Sequence, residues 1–198
     1  NSVLAVLPSL RGEENEELVQ QVLSRLESKN PNYAPLLKYK AEMAEAKAQK
    51  ERLAEGKVAP EFSFPTPDGK KKLGPQDFKG KILVLDFWAS WCRPCRASFP
   101  EMKKLYAEYH KKGVEILGIT NDSRKTDWLK ALEEDNLPWL QVIDEYPIRN
   151  TPAKVATLYA IPYLPTLMLI DPDGKIVGKA KDKHELKTWL DERLANKK

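Results

Sequence analysis

The chain is predicted to be an α/β protein, a mixed central sheet flanked by helices, with a helical extension ahead of it. Three observations predict this. Ile82-Leu83-Val84-Leu85 and the run over 114–120 are continuous apolar stretches of strand length, the pattern of strands buried on both faces. Between them, residues 93–112 carry Cys95, Phe99, Met102, Leu105 or Tyr106, and Tyr109 at helical spacing, so strand, helix and strand form a parallel βαβ unit. Before residue 57 the chain is instead rich in Ala, Glu, Lys and Gln, residues that favour helix.

In chain order, residues 13–28 place Leu18, Val22, Leu23 and Leu26 on one stripe of an amphipathic helix, which Asn30-Pro31-Asn32 breaks. A second, very polar helix over 34–55 is anchored by Leu36, Leu37, Met43 and Leu53 and ended by Gly56. Residues 1–56 are thus read as a helical segment, an interaction or dimerisation arm or else a spacer, and residues 57–198 as the main domain. Phe62 and Phe64 alternate with polar residues before the turn signal Pro67-Asp68-Gly69, which predicts a small hairpin. The strand over 81–88 follows, then the helix over 93–112, with Gly113 as its C-cap, and the strand over 114–120.

Residues 123–134 read as a helix with Trp128, Leu129 and Leu132 inward, and 139–143 as a strand. Thr151-Pro152 supplies an N-cap and first residue for a helix whose inner face is Val155, Leu158 and Tyr159. A strand over 166–170, the turn Asp171-Pro172-Asp173-Gly174, an antiparallel partner over 176–178 and a helix over 185–194 complete the chain.

Composition narrows the function classes. The 198 residues are 41% hydrophobic and 31% charged, enough for one good core and a helical appendage. Net charge is +4 with Lys and Glu interspersed, which argues against a nucleic-acid partner. No apolar run reaches membrane-spanning length. The chain starts at Asn1, and the apolar run over 3–7 is too short for a signal-peptide core, so any targeting segment is expected to lie outside this sequence. His110 and His184 sit in Lys-rich surroundings and are expected to be solvated. Trp88, Trp128, Trp139 and Trp189 are expected in the core, and Trp91 at the surface.

The two cysteines, Cys92 and Cys95, stand where the first central strand passes into its helix. There, unpaired backbone N–H groups and the helix dipole favour a thiolate at Cys92, the attacking species in disulfide exchange. Three residues on, the Cys95 sulfur is within reach. Pro94 suits the first turn, and Arg93 and Arg96 would lower the Cys92 pKa further if their side chains turn toward the sulfur. Zinc would need two more soft ligands, and neither histidine is at ligand spacing. A purely structural disulfide closing so short a loop would stabilise little. A cycling dithiol with no bound metal or cofactor is the expected reading. Asp86 interrupts the apolar strand six residues before Cys92. An unpartnered buried carboxylate has a raised pKa, which makes it a candidate base for the Cys95 thiol.

The stretch Asp86-Phe87-Trp88-Ala89-Ser90-Trp91-Cys92-Arg93-Pro94-Cys95 resembles the active-site segment of thioredoxins. Its wider context resembles the TlpA/ResA branch of thiol-disulfide oxidoreductases, described as AhpC/TSA-like. That context includes Ala59-Pro60-Glu61-Phe62, Phe99-Pro100, Leu164-Pro165-Thr166, Leu169-Ile170-Asp171 and Gly174-Lys175-Ile176-Val177. The resemblance spans about residues 57–195. It implies a thioredoxin-like fold, the helix and strand over 123–143 as an insertion of that branch, and residues 1–56 as the tail of a larger helical region. It also implies protein thiols and disulfides as substrates, an upstream thiol donor or acceptor, and a periplasmic or envelope-exposed location. Asp86 would move the Cys95 proton. Leu164-Pro165 would be a cis peptide facing the cysteines and leave the Leu164 backbone open to an extended substrate, with Trp91, Arg93, Pro94, Tyr163 and Thr166 around it. Tyr163 departs from the Gly common in thioredoxins two residues before this Pro, which would narrow the groove or offer an aromatic surface. The alternatives are a thiol peroxidase of peroxiredoxin type and a non-catalytic peptide-binding module. Against the first, Leu85 and Ala89 stand where the Pro-x-x-x-Thr-x-x-Cys pattern needs Pro and Thr.

Overall fold

The computed structural model describes residue 7, residues 15–144 and residues 153–195. Two compact units divide the chain, 1–51 and 52–198. In the first, helix α1 (Glu16–Lys29) and the start of α2 (Ala34–Arg52) enclose a small core of Leu7, Val19, Leu23, Leu36 and Tyr39. Leu18 and Leu37, expected inward, are instead 50% and 47% exposed. Val22, Leu26 and Met43 pack against this core as expected, and Val19 and Tyr39 join it. The second helix ends at Arg52, and Leu53 packs with the larger unit's core.

That larger unit begins with a short hairpin, β1 (Phe64–Pro65) with β2 (Lys72–Leu73). Its main sheet contains β3 (Ile82–Trp88), β4 (Val114–Thr120), β5 (Leu140–Ile143), β6 (Thr166–Ile170) and β7 (Ile176–Ala180), in the order β5-β4-β3-β6-β7. β3 is central, parallel to β4 and antiparallel to β6, so the sheet is mixed as expected. All seven residues of β3 and of β4 are buried, which is why both runs lack alternation.

Strand alternation sorts β3 onto two cores. Ile82, Val84 and Trp88 pack with α3 (Arg93–Tyr109) and α6 (Lys183–Ala195). Leu83, Leu85 and Phe87 pack with Phe62, Phe64, Met168 and Tyr159 on the other face. α3 meets the first core through Cys95, Phe99, Met102, Leu105 and Tyr109, so that Leu105 takes the position left open between it and Tyr106, and continues through Pro100, which is exposed. It closes in a 3₁₀ turn at His110–Lys112, and Gly113 takes φ 90° as the turn reverses into β4.

Helix α4 (Lys125–Asp135) buries Trp128 and Ala131, while Leu129 is 37% exposed and so corrects the expected inner face. In α5 (Lys154–Leu158), Val155 is buried and Tyr159 just beyond it is enclosed, but Leu158 is exposed. Ala153 holds the N-cap position there; the expected cap at Thr151-Pro152 lies outside the described residues. Trp88, Trp128 and Trp139 are buried, and Trp189 packs against the core while partly exposed. Among the described residues no helix is long and apolar enough to cross a membrane.

Candidate active site

β3 delivers the chain to the C-terminal edge of the sheet, where Ala89 to Trp91 turn it into α3. Cys92 is the N-cap of α3: its Sγ accepts the Cys95 backbone N–H at 3.2 Å, and Pro94 lies in the first turn. The two cysteines form a disulfide with Cα atoms 5.3 Å apart. Cys95 is fully enclosed, whereas Cys92 keeps 4% exposure beside Trp91, which is 66% exposed. When the pair is reduced, the N–H that now meets a neutral sulfur would meet a thiolate, an interaction that lowers its pKa.

Arg96 turns away from the sulfur and forks onto α4, with Nε 2.7 Å from Asp135 Oδ2 and one terminal nitrogen 2.8 Å from Glu134 Oε2. Two carboxylates neutralise it, and it ties α3 to α4. Arg93 and Pro94 are exposed at the rim.

Asp86 follows the alternation of β3 and so lies on the face of Val84 and Trp88, the face covered by Cys95 and Phe99. It is 3% exposed, its Oδ2 is buried with no hydrogen-bond partner among the described residues, and burial pushes its carboxyl up to about 7. A carboxyl that titrates near neutrality can take and return a proton.

Across the cysteines lies the loop before β6. Leu164-Pro165 is cis, Tyr163 is 69% exposed, and Leu164 and Pro165 are half-buried. Thr166 is buried, and its hydroxyl donates to the Tyr163 carbonyl at 2.8 Å, which braces the loop. Lys179 Nζ holds the start of this loop by donating to the Ala160 carbonyl at 2.7 Å. Between this loop and the cysteine turn runs a groove of about 170 Å³, with Trp91, Asn121, Ile161, Tyr163 and Leu164 among its walls.

Two features escaped the sequence reading. Asp122, 3% exposed, accepts the Ser90 N–H at 2.8 Å, the Ser90 hydroxyl at 2.6 Å and the Thr120 hydroxyl, which pins the turn before Cys92 to the end of β4. Its only local signal is the polar Asn121-Asp122-Ser123 after an apolar strand. Gln141, 5% exposed on β5, accepts the indole N–H of Trp88 at 3.0 Å. Among the described residues no group of three His, Cys, Asp or Glu is placed to hold a metal.

Comparison with known proteins agrees with this geometry. The AhpC/TSA family model matches residues 56–179. A thiol-disulfide oxidoreductase ResA from Bacillus cereus is 37% identical over 132 residues, 67% of this chain and 72% of that protein. The thioredoxin domain of a thiol-disulfide oxidoreductase from Bacteroides vulgatus superposes with a TM-score of 0.64 at 35% identity, covering 71% of this chain and 98% of that one. A thiol-disulfide oxidoreductase from Bacteroides fragilis does so with a TM-score of 0.61 at 38% identity, over 69% and 98%.

Proposed function

We propose a dithiol cycle for this chain, which belongs to the AhpC/TSA family and is a thiol-disulfide oxidoreductase with a thioredoxin-like fold. The Cys92 thiolate attacks a protein disulfide, forming one S–S bond as the substrate's bond breaks, and the released substrate sulfur takes up a proton. Cys95 then passes its proton to the Asp86 carboxylate and attacks Cys92 Sγ. The second substrate sulfur leaves, the substrate is reduced by two electrons, and the Cys92–Cys95 disulfide results. A partner dithiol returns the pair to its reduced state. Run backwards, the same steps oxidise a dithiol substrate.

The observation that carries this reading is the contrast between the two cysteines: a helix-capping Cys92 beside the exposed Trp91, and a Cys95 with no exposure on the sheet face that holds Asp86. Substrate is assigned to the groove lined by Trp91, Tyr163 and Leu164, with an extended segment laid beside the Leu164 backbone and reaching toward Pro165, Arg93 and Pro94. The chemistry is assigned to residues 57–198 and an extracytoplasmic setting, with residues 1–56 as a helical extension. Peroxidase chemistry is disfavoured because Leu85 and Ala89, both fully buried, put no hydroxyl behind Cys92. The experiment is single-turnover reduction of a protein disulfide, with formation and decay of the mixed disulfide timed separately. Asp86→Asn should slow the decay and leave the formation near the parent rate; equal effects on both steps would remove Asp86 from its assigned role.

A further inference from the structure

On the sheet face beneath α3, register places four residues in one row: Gln141 on β5, Gly118 on β4, Asp86 on β3 and Leu167 on β6. Gly118 leaves a gap in that row, and the Gln141 side chain fills it. A Cβ added to Gly118 would lie 2.5 Å from both Cδ and Nε2 of Gln141, and nearer still to Oε1. The carboxamide therefore lies over β4, about one strand spacing (~4.8 Å) from the strand that carries Asp86. Its orientation is fixed on one side, because Oε1 accepts the Trp88 indole N–H at 3.0 Å. That leaves Nε2, a donor, and on the same face Asp86 Oδ2, an acceptor, both buried and without a hydrogen-bond partner among the described residues, each other included. Such groups are costly to leave unmatched.

We propose that Gln141 is a positioning residue for Asp86: its Nε2 presents N–H groups across the Gly118 gap to the Asp86 carboxyl and steadies the carboxylate that receives the Cys95 proton. This rests on the reading of Asp86 as the base for Cys95. Among the described residues the same core holds two further unpartnered donors, the indole N–H groups of Trp128 and Trp139, but neither stands in the strand row of Gln141, Gly118 and Asp86. The titratable side chains in or against that hydrophobic core are Cys92, Cys95, Tyr106 and Tyr109. Tyr109 is engaged by Asp191 and Lys187 at the far end of α3. β6 contributes Leu167 and Leu169, β7 Val177, and α6 Leu186 and Leu190. Glu115, further back on β4, is held by Lys81 and Tyr106, with His110 3.5 Å away. Trp88 acts through Gln141 as the latch that fixes which end of the amide faces Asp86.

The test measures the pH dependence of mixed-disulfide resolution in the full chain, with the Asp86 limb defined as the one that Asp86→Asn abolishes. Gln141→Met keeps the bulk and removes the N–H, so the limb should move up by at least about half a pH unit, with an about threefold or greater slowing of resolution near pH 7. Gln141→Glu keeps both the size and the acceptor for Trp88, so it separates the N–H from packing. It should shift the limb further, because two carboxyls then share the site. A merely structural glutamine would lower the unfolding midpoint and leave the limb in place. An unmoved limb in both variants overturns the role of Gln141 while the Asp86 reading stands. If Asp86→Asn abolishes no limb, the reading of Asp86 falls and the role of Gln141 with it.

Discussion

Cys92 Sγ caps the helix that Arg93 opens, accepting the Cys95 backbone N–H at 3.2 Å, while Cys95 itself is fully buried in the core. The same turn of chain therefore gives two thiols unlike environments. In the reduced protein, Cys92 should alkylate with a pKa clearly below the ~8.5 of a free thiol, and Cys95 should stay inert at neutral pH. Iodoacetamide labelling across pH, read by mass spectrometry of the 92–95 peptide, checks this; equal labelling of both sulfurs would contradict it.

Asp86 makes stability depend on pH in a defined direction. In the unfolded chain its carboxyl ionises near ~3.9, and in the folded protein burial holds it protonated up to about 7. Between those values the folded state binds the extra proton, so the group's contribution is fully present below pH ~3.9 and is lost as pH rises through about 7. Asp86→Asn should thus be worth little at pH 4 and should stabilise at pH 8, by a ceiling of roughly 4 kcal/mol from about three pK units. Urea unfolding of both proteins at the two pH values measures the difference; a constant offset between them would refute the buried-proton account.

Arg96 belongs to the frame and not to the sulfur, because Glu134 and Asp135 occupy it. Arg96→Met should leave the Cys92 alkylation pKa within about 0.3 units of the parent and cost about 1–2 kcal/mol of stability through the lost bidentate contact. A fall in nucleophilicity at unchanged stability would return Arg96 to the electrostatic role its position in the chain suggests.

Trp91 and Tyr163 expose 66% and 69% of their surface on either side of the groove, more than a purely structural aromatic needs. Trp91→Ala and Tyr163→Ala should each lower kcat/KM for a protein disulfide about tenfold, roughly the 1.4 kcal/mol of one aromatic contact, and leave reaction with a small disulfide nearly unchanged. Equal losses on both substrates would place these residues in the chemistry instead of in binding.

The elements around the site were legible because their signals are local. β3 and β4 are buried on both faces and so read as unbroken apolar runs; Cys92-Arg93-Pro94-Cys95 carries its chemistry in adjacent residues. Helix rotation was less legible. Leu18, Leu37, Leu129 and Leu158 fit apolar stripes yet are exposed, because the choice between neighbouring faces is made by partners distant in sequence. Gln141 and Asp122 were invisible for the same reason. The partner of each lies more than thirty residues away, 53 for Trp88 and Gln141 and 32 for Ser90 and Asp122, and a lone polar residue in a short strand carries no mark of a distant donor. Gly118 inside an apolar strand was the one available hint that another side chain needs its space.

The central claim is that Cys92 attacks and Cys95 resolves, and Cys95→Ser tests it most directly. The variant keeps the Cys92 nucleophile and its helix-cap setting but has no thiol to complete exchange, so reaction with a protein disulfide should stop at a Cys92–substrate adduct. Non-reducing gels and mass spectrometry should show that adduct at Cys92, dissolved by dithiothreitol and absent when Cys92 is also changed to Ser. Rapid turnover by Cys95→Ser with no adduct, or peroxide consumption by the parent with a sulfenic acid left on Cys92 of the variant, would contradict the account.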